Sequence, residues 1–598
     1  MPGSTAKPRI TFVPHLPSSL NSFEATMRAH FITLCLLGVR TVAAVKDDRS
    51  DVQTRADKQV TVELDLGKVI GIVKDKVESF GGIPYAKAPT EQLRLRPPVR
   101  LDESFGSYDA TGAAAACPQM VSSTESTNFL LETLGNVANL PFVQRVTGQT
   151  EDCLSVTVAR PEGTKADAGL PVLFWIFGGA FQLGWSSMYD GSSLVSHGVN
   201  INEPFIFVAV NYRVNGFGFM PGKEVLEDGA SNLGLLDQRM GLEWVADNIA
   251  AFGGDPDKVT IWGESAGALS VADQMVLYGG DNKYKGKPLF RGAIMNSGSV
   301  LPADPMDSPK GQAVYDQVVR HAGCAGEADT LNCLRELPYS DFLNAVTSVP
   351  SLLSYHSIAL SYVPRPDGKV LPKSPDVLIA EGSYAAVPMI NGVQEDEGTL
   401  FALFQSNLTT TAKLKSFMKE LPFQNIKDST LDNLIATYGT GLAAVTDGSP
   451  FRTGLLNEIF PGFKRRAAIF GDIIFTLSRR GFLNAAKVAN PDVPSWSYMA
   501  SYDHGTPILG TFHGSDLLQV FYGIKDNYAA RSIRTYYVNF VHNLNPNKGV
   551  EGKYPNWPQW DQTAKLINFE ADKSKLINDD FRSESYQIIA NSHGEFNF

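Results

Sequence analysis

Ser265 stands in V-T-I-W-G-E-S-A-G-A (259–268), flanked by Gly263 and Gly267. An isolated G-x-S-x-G says little in a chain of 53 glycines. Here the motif follows an apolar run and precedes a small-residue helix start, the context of a strand-to-helix turn so sharp that only Gly fits on either side. Such a turn thrusts the hydroxyl out of a sheet as a nucleophile. The alternative is a Gly-rich turn with an idle Ser. A Ser that attacks a carbonyl needs donors for the developing oxyanion, and W-I-F-G-G-A-F (175–181) offers a Gly-rich turn after another apolar run. The backbone N–H groups of Gly179, Ala180 and Ala266 are the expected donors, because preorganised amides stabilise charge without reorienting.

The Ser also needs a base and the base an orienting acid, in the chain order Ser, acid, His. Downstream histidines are His321, His356, His504, His513, His542 and His593. His513, in the Gly-flanked loop G-T-F-H-G-S-D, is preferred, with His504 in reserve. For the acid, P-M-I-N-G-V-Q-E-D-E-G-T ends an apolar run with Glu395, Asp396 and Glu397. One would orient the imidazole and the other two would be solvated; the residues alone do not choose among them.

These groups need a scaffold. Apolar runs recur at 170–177, 204–212, 259–262, 290–297, 387–392 and 496–502, and V-T-V-E-L-D-L-G-K-V-I-G-I-V (60–73) reads as a hairpin. Runs apolar on both faces suit strands covered by helices on both sides. Between two of them Leu235, Met240, Leu242, Val245 and Ile249 recur at helical spacing. Alternating strands and helices predict an α/β fold with a mostly parallel central sheet. No repeat, linker or low-complexity block interrupts residues 45–598, which are expected to form one domain.

The 598 residues, 43% hydrophobic and 19% charged, exclude a disordered, collagenous or coiled-coil chain. A net charge of −11 argues against a nucleic-acid partner. Residues 1–44 read as an N-terminal extension and secretory signal. Met27-Arg28-Ala29-His30 precedes a short apolar run from Phe31 to Val39 and the small residues of Val42-x-Ala44, so the signal spans about 27–44. That run is too short for a hydrocarbon core of ~30 Å, so no integral membrane anchor is expected. Cys35 leaves with the signal. Cys117, Cys153, Cys324 and Cys333 remain, an even set that suggests two disulfides, with three pairings open. The sequon Asn407-Leu408-Thr409 is a glycosylation candidate on that route.

F-G-G-D-P-D-K-V-T-I-W-G-E-S-A-G (252–267), E-D-C-L-S-V-T-V-A-R-P (151–161) and F-G-G-I-P-Y-A-K-A-P (80–89) together resemble the signatures of the type-B carboxylesterase/lipase family of α/β-hydrolases. Within it the chain is similar to secreted fungal lipases and sterol esterases of the Candida rugosa-like group. The resemblance covers nearly the whole chain after the signal. It implies the α/β-hydrolase fold and a Ser-Glu-His triad of Ser265, Glu397 in D-E-G and His513 in G-x-x-H-x-x-D. It also implies disulfides Cys117–Cys153 and Cys324–Cys333, worth on the order of 3 kcal/mol each in a chain-entropy account. The oxyanion turn reads Gly-Gly-Ala where many relatives read Gly-Gly-Gly, so its mouth should be narrower. Ser155 replaces an aromatic or Thr, with little expected effect.

The implied activity is hydrolysis of carboxylic esters through an acyl-enzyme, with no metal or organic cofactor. The loop 117–153 carries Phe129, Leu130, Leu134 and Val137 as an apolar face. In the resembling lipases this loop is a lid that closes over the Ser in water and opens at an oil–water interface. That reading favours sterol esters and triacylglycerols as substrates, and an exposed lid face would also pair two copies of the chain. A choline ester is disfavoured because none of the seven Trp lies in the loop to hold a quaternary ammonium. A general esterase of small soluble esters is the main alternative. A non-catalytic adhesion module is remote, since all three triad positions are filled.

Overall fold

The structure, a computed structural model, describes residues 58–120, 148–446 and 455–598. The signal segment 1–44 and the lid residues Phe129, Leu130, Leu134 and Val137 lie outside them.

Among the described residues a thirteen-stranded mixed sheet runs through the molecule. Its first strands are β1 (Lys58–Leu64), β2 (Gly67–Lys74), β3 (Val77–Pro84), β4 (Gly106–Asp109) and β5 (Ser155–Pro161). The central ones are β6 (Leu170–Ile176), β7 (Ile206–Val210), β8 (Gly254–Glu264), β9 (Gly292–Asn296), β10 (Met389–Gln394), β11 (Ser495–Ala500) and β12 (Lys565–Phe569), and β13 (Ser574–Asn578) closes the far edge. The order is β1-β2-β3-β5-β7-β6-β8-β9-β10-β11-β12-β13, with β4 beside β2. From β7 to β12 every pairing is parallel. The path from β1 to β7 and the last strand are antiparallel, while β4 pairs with β2 in parallel.

The apolar runs became these central strands because both of their faces are covered. In β7 all five residues are buried, and in β6 all but Leu170. One face meets helix α1 (Leu233–Asn248): a Cβ on its Gly241 would stand 2.6 Å from Val210 and 3.4 Å from Phe174. The other face carries Trp175 and Trp262, paired in register on β6 and β8 with rings 4.4 Å apart. Trp262 packs in turn on Tyr537 of helix α4, numbering α2 (Ala266–Val276), α3 (Phe463–Gly471) and α4 (Tyr528–Asn543) in chain order. Leu235, Leu242, Val245 and Ile249 are buried as their spacing predicts, while Met240 is half-buried.

Four chain segments leave the carboxyl ends of neighbouring parallel strands: 177–181 after β6, Ser265 after β8, 395–398 after β10 and 501–516 after β11. In open α/β sheets this end is where sites are built.

Candidate active site

Ser265 adopts φ 59° and ψ −128°, a backbone conformation rarely taken by a residue with a side chain. Its flanking glycines permit it. A Cβ on Gly263 would stand 2.3 Å from the Gly267 carbonyl carbon, and one on Gly267 would stand 2.1 Å from the Ile176 carbonyl oxygen. The Ser265 N–H donates to the Asn296 carbonyl at 2.9 Å, which ties the turn to β9. Ala266 opens α2, so its N–H has no acceptor within the helix. Gly178 lies against Ser265, since a Cβ there would meet the Ser265 Cβ at 2.8 Å. Gly179 and Ala180 follow with φ 111° and 56°.

His513 Nε2 lies 2.7 Å from Ser265 Oγ, and His513 Nδ1 lies 2.6 Å from Glu397 Oε2. The other Glu397 oxygen accepts the Gln394 N–H at 2.7 Å. Of the three adjacent acids, then, Glu397 is the one beside the imidazole. The other two are not solvated as expected: Glu395 is 8% exposed and Asp396 1%. Asp396 turns to the His-bearing loop and accepts the Thr511 N–H at 2.8 Å. The Glu395 N–H donates to the Ala500 carbonyl. His504 is exposed, with its Nδ1 2.9 Å from the Ser501 carbonyl, and does not reach the site.

Burial acts to lower the His513 imidazole, but the hydrogen bond and charge of Glu397, with the charges of Glu264 and Asp516, outweigh it. Its pKa therefore lies above the ordinary 6.5. The ring packs against Phe401 and Phe475, with centroids 5.0 and 4.6 Å away, and these two rings stack on each other at 5.5 Å. Phe475 belongs to a π-helical turn, Asp472–Thr476, and a second such turn, Leu517–Phe521, follows His513. Single π-turns recur at functional sites, where they re-aim side chains.

Several neighbours escaped sequence reasoning. The Glu264 carboxyl lies 3.5 Å from His513 Nε2, and burial pushes it up to about 8. Asp516 accepts a hydrogen bond from Asn296 Nδ2 at 2.7 Å, and burial pushes it up to about 6. Asn296 Oδ1 in turn accepts from Tyr537 at 2.8 Å. Glu264 is a variable letter of G-x-S-x-G and Asp516 the closing letter of G-x-x-H-x-x-D, so their types were visible but not their burial.

Cys117–Cys153 and Cys324–Cys333 are bonded. Asn407 and Thr409 are exposed. Among the described residues no group of His, Cys, Asp or Glu could hold a metal ion, and no helix is long and apolar enough to cross a membrane.

The sequence profile of the carboxylesterase family matches residues 57–589. The chain belongs to the carboxylesterase family. As a member it is a carboxylic ester hydrolase with an α/β-hydrolase fold. It is 64% identical over 545 residues to the secreted triacylglycerol lipase LIP1 of Gibberella zeae, spanning 91% of this chain and 92% of the relative. It is 40% identical to lipase 2 of Diutina rugosa, over 87% of this chain and 93% of that one. Among solved structures, Aspergillus niger EstA superposes with a TM-score of 0.74 at 25% identity, covering 89% of this chain and 97% of that one. These carboxylesterase-family relatives span nearly the full described length, so the likeness is not confined to one motif.

Proposed function

We propose that the chain is a secreted serine hydrolase that cleaves carboxylic esters of lipids, triacylglycerols and sterol esters, through an acyl-enzyme on Ser265. The observation that carries it is the unbroken line from Glu397 through His513 to Ser265, at 2.6 and 2.7 Å. Ser265 Oγ attacks the ester carbonyl as its proton passes to His513 Nε2, and Glu397 holds the ring and stabilises the imidazolium. The N–H groups of Gly179, Ala180 and Ala266 receive the oxyanion; one donor of this kind is worth about 3 to 4 kcal/mol of barrier. The tetrahedral intermediate collapses, His513 gives its proton to the leaving alcohol, and Ser265 keeps the acyl group. Water, deprotonated by His513, then releases the acid and restores the Ser.

The lipid preference rests on the relatives' names and on the disulfide loop. Cys117–Cys153 closes a 36-residue separation whose interior is the apolar segment read as a lid. Secretion is supported by the signal pattern before residue 45, by the two disulfides and by relatives named as secreted. An exposed Asn407 is the proposed glycan acceptor.

Labelling with diethyl 4-nitrophenyl phosphate tests the acyl-enzyme. The Ser265 peptide should gain one diethylphosphoryl group as one 4-nitrophenolate leaves, and His513→Ala should abolish the reaction. Stoichiometric labelling elsewhere, or undiminished labelling in His513→Ala, would refute the assignment.

A further inference from the structure

Asp396 touches no reacting atom, yet it joins the loop of the acid to the loop of the base. Its Oδ2 accepts the Thr511 N–H at 2.8 Å, and its own N–H donates to the Thr511 carbonyl at 3.0 Å. The two loops thus pair as an isolated parallel bridge between Asp396 and Phe512. One partner is the neighbour of Glu397 and the other is the neighbour of His513. Gly510 has φ 63°, and a Cβ there would stand 2.0 Å from Asp396 Oδ2, so the approach depends on that glycine. Thr399 Oγ1 adds a second stitch, 2.9 Å from the Asp396 carbonyl and 2.8 Å from the Leu509 carbonyl. Lys464 of α3 is also buried nearby; burial holds its ammonium below the ordinary lysine value, and the charges of Glu458 and Asp396 oppose that shift.

We infer that Asp396 is a positioning residue for ester hydrolysis, fixing the separation of Glu397 and His513 through its carboxylate's hold on the Thr511 N–H. The inference rests on the triad proposed above. A carboxylate bonded to a backbone N–H is among the stronger hydrogen bonds, and a displacement of about 1 Å at a reacting group costs on the order of 100-fold in rate. Losing the stitch lets the His513 loop drift from Glu397. The imidazole then loses part of the interaction that raises it, while the ester-binding surface is left in place.

The test compares Asp396→Ala, Asp396→Asn and Gly510→Ala on a soluble butyrate ester across pH. Asp396→Ala should lower kcat by roughly 10- to 100-fold, leave KM unchanged and move the acid limb of the pH profile to lower pH. Asp396→Asn keeps an acceptor oxygen, so it should recover most of the rate and return the limb to its wild-type position. Gly510→Ala drives the loops apart from the other side and should reproduce the Ala phenotype with the carboxylate intact, which keeps the test decisive if Asp396→Ala fails to fold. Unchanged kcat and limb in a folded Ala variant would overturn the inference. So would an Asn variant as slow as Ala with an unmoved limb. Activity retained in Ser265→Ala would overturn the triad and this inference together. Full loss there with normal Asp396→Ala kinetics would overturn this one alone.

Discussion

The carboxyl of Glu264, the residue before Ser265, stands 3.5 Å from Nε2 of His513, on the same side of the imidazole as Ser265 Oγ. Its nearer oxygen, Oε1, accepts no hydrogen bond from the described residues. Burial is the main reason its pKa rises to about 8, with Asp516 and Glu397 adding to the rise and His513 opposing it. The site therefore holds Glu397 beside the Nδ1 of His513 and the buried carboxyl of Glu264 beside its Nε2.

That asymmetry has a consequence for stability. A carboxyl whose pKa is raised in the folded state binds its proton more tightly there, so its contribution is fully present below about 4.5 and is lost as pH rises towards about 8. Glu264→Gln removes this dependence. Melting temperatures of wild type and Glu264→Gln, measured from pH 4.5 to 9, should diverge in favour of the variant as pH rises. Parallel curves would show that Glu264 titrates normally.

In the proposed mechanism His513, as the base, sets the acid limb of activity. His513 must be neutral to take the Ser265 proton, and its pKa lies above 6.5. The kcat/KM for a soluble ester should therefore rise with pH through a midpoint above 6.5. Glu397→Gln removes the charge that raises the ring; it should move the limb to lower pH and reduce the plateau. A midpoint below 6.5 in the wild type would contradict this electrostatic account.

The elbow has no room for a larger residue. Gly267→Ala would place a methyl carbon 2.1 Å from the Ile176 carbonyl, displacing Ser265 from His513. Activity should fall on the order of 100-fold, measured as kcat on a soluble ester in protein that still gives a folded circular dichroism spectrum. Near-normal kcat would mean that the strand and helix shift without disturbing the nucleophile.

Removing the Cys117–Cys153 bond tests the tether. Cys117→Ser/Cys153→Ser should cost about 4 kcal/mol by loop entropy and should lower the ratio of emulsified-triolein to soluble-acetate hydrolysis. An unchanged ratio, read by titrating released acid, would show that the loop does not gate access.

Much of this was legible in the chain because its strongest signals are local. The glycines around Ser265 and the apolar runs flanking it report a turn and strands within a dozen residues, and the parallel sheet follows from alternation with helices. The acid was different. Glu395, Asp396 and Glu397 are adjacent and chemically alike, and what separates them is contact with a loop more than a hundred residues away: Glu397 meets His513, and Asp396 meets Thr511. Solvation was the natural expectation for the two spare acids, and long-range backbone pairing with Ala500 and Thr511 is what buries that turn. Asn296 was equally hidden, because an Asn at a strand end looks like any polar terminus until β9 is set beside β8 and its carbonyl meets the Ser265 N–H.

The most direct test of the central claim is pH-stat titration of fatty acid released from emulsified triolein and cholesteryl oleate, beside a soluble acetate ester, with wild type and Ser265→Ala. The account predicts release from both emulsions by the wild type and none by Ser265→Ala. Hydrolysis of the acetate alone would contradict the lipid assignment, and release by Ser265→Ala would contradict the nucleophile.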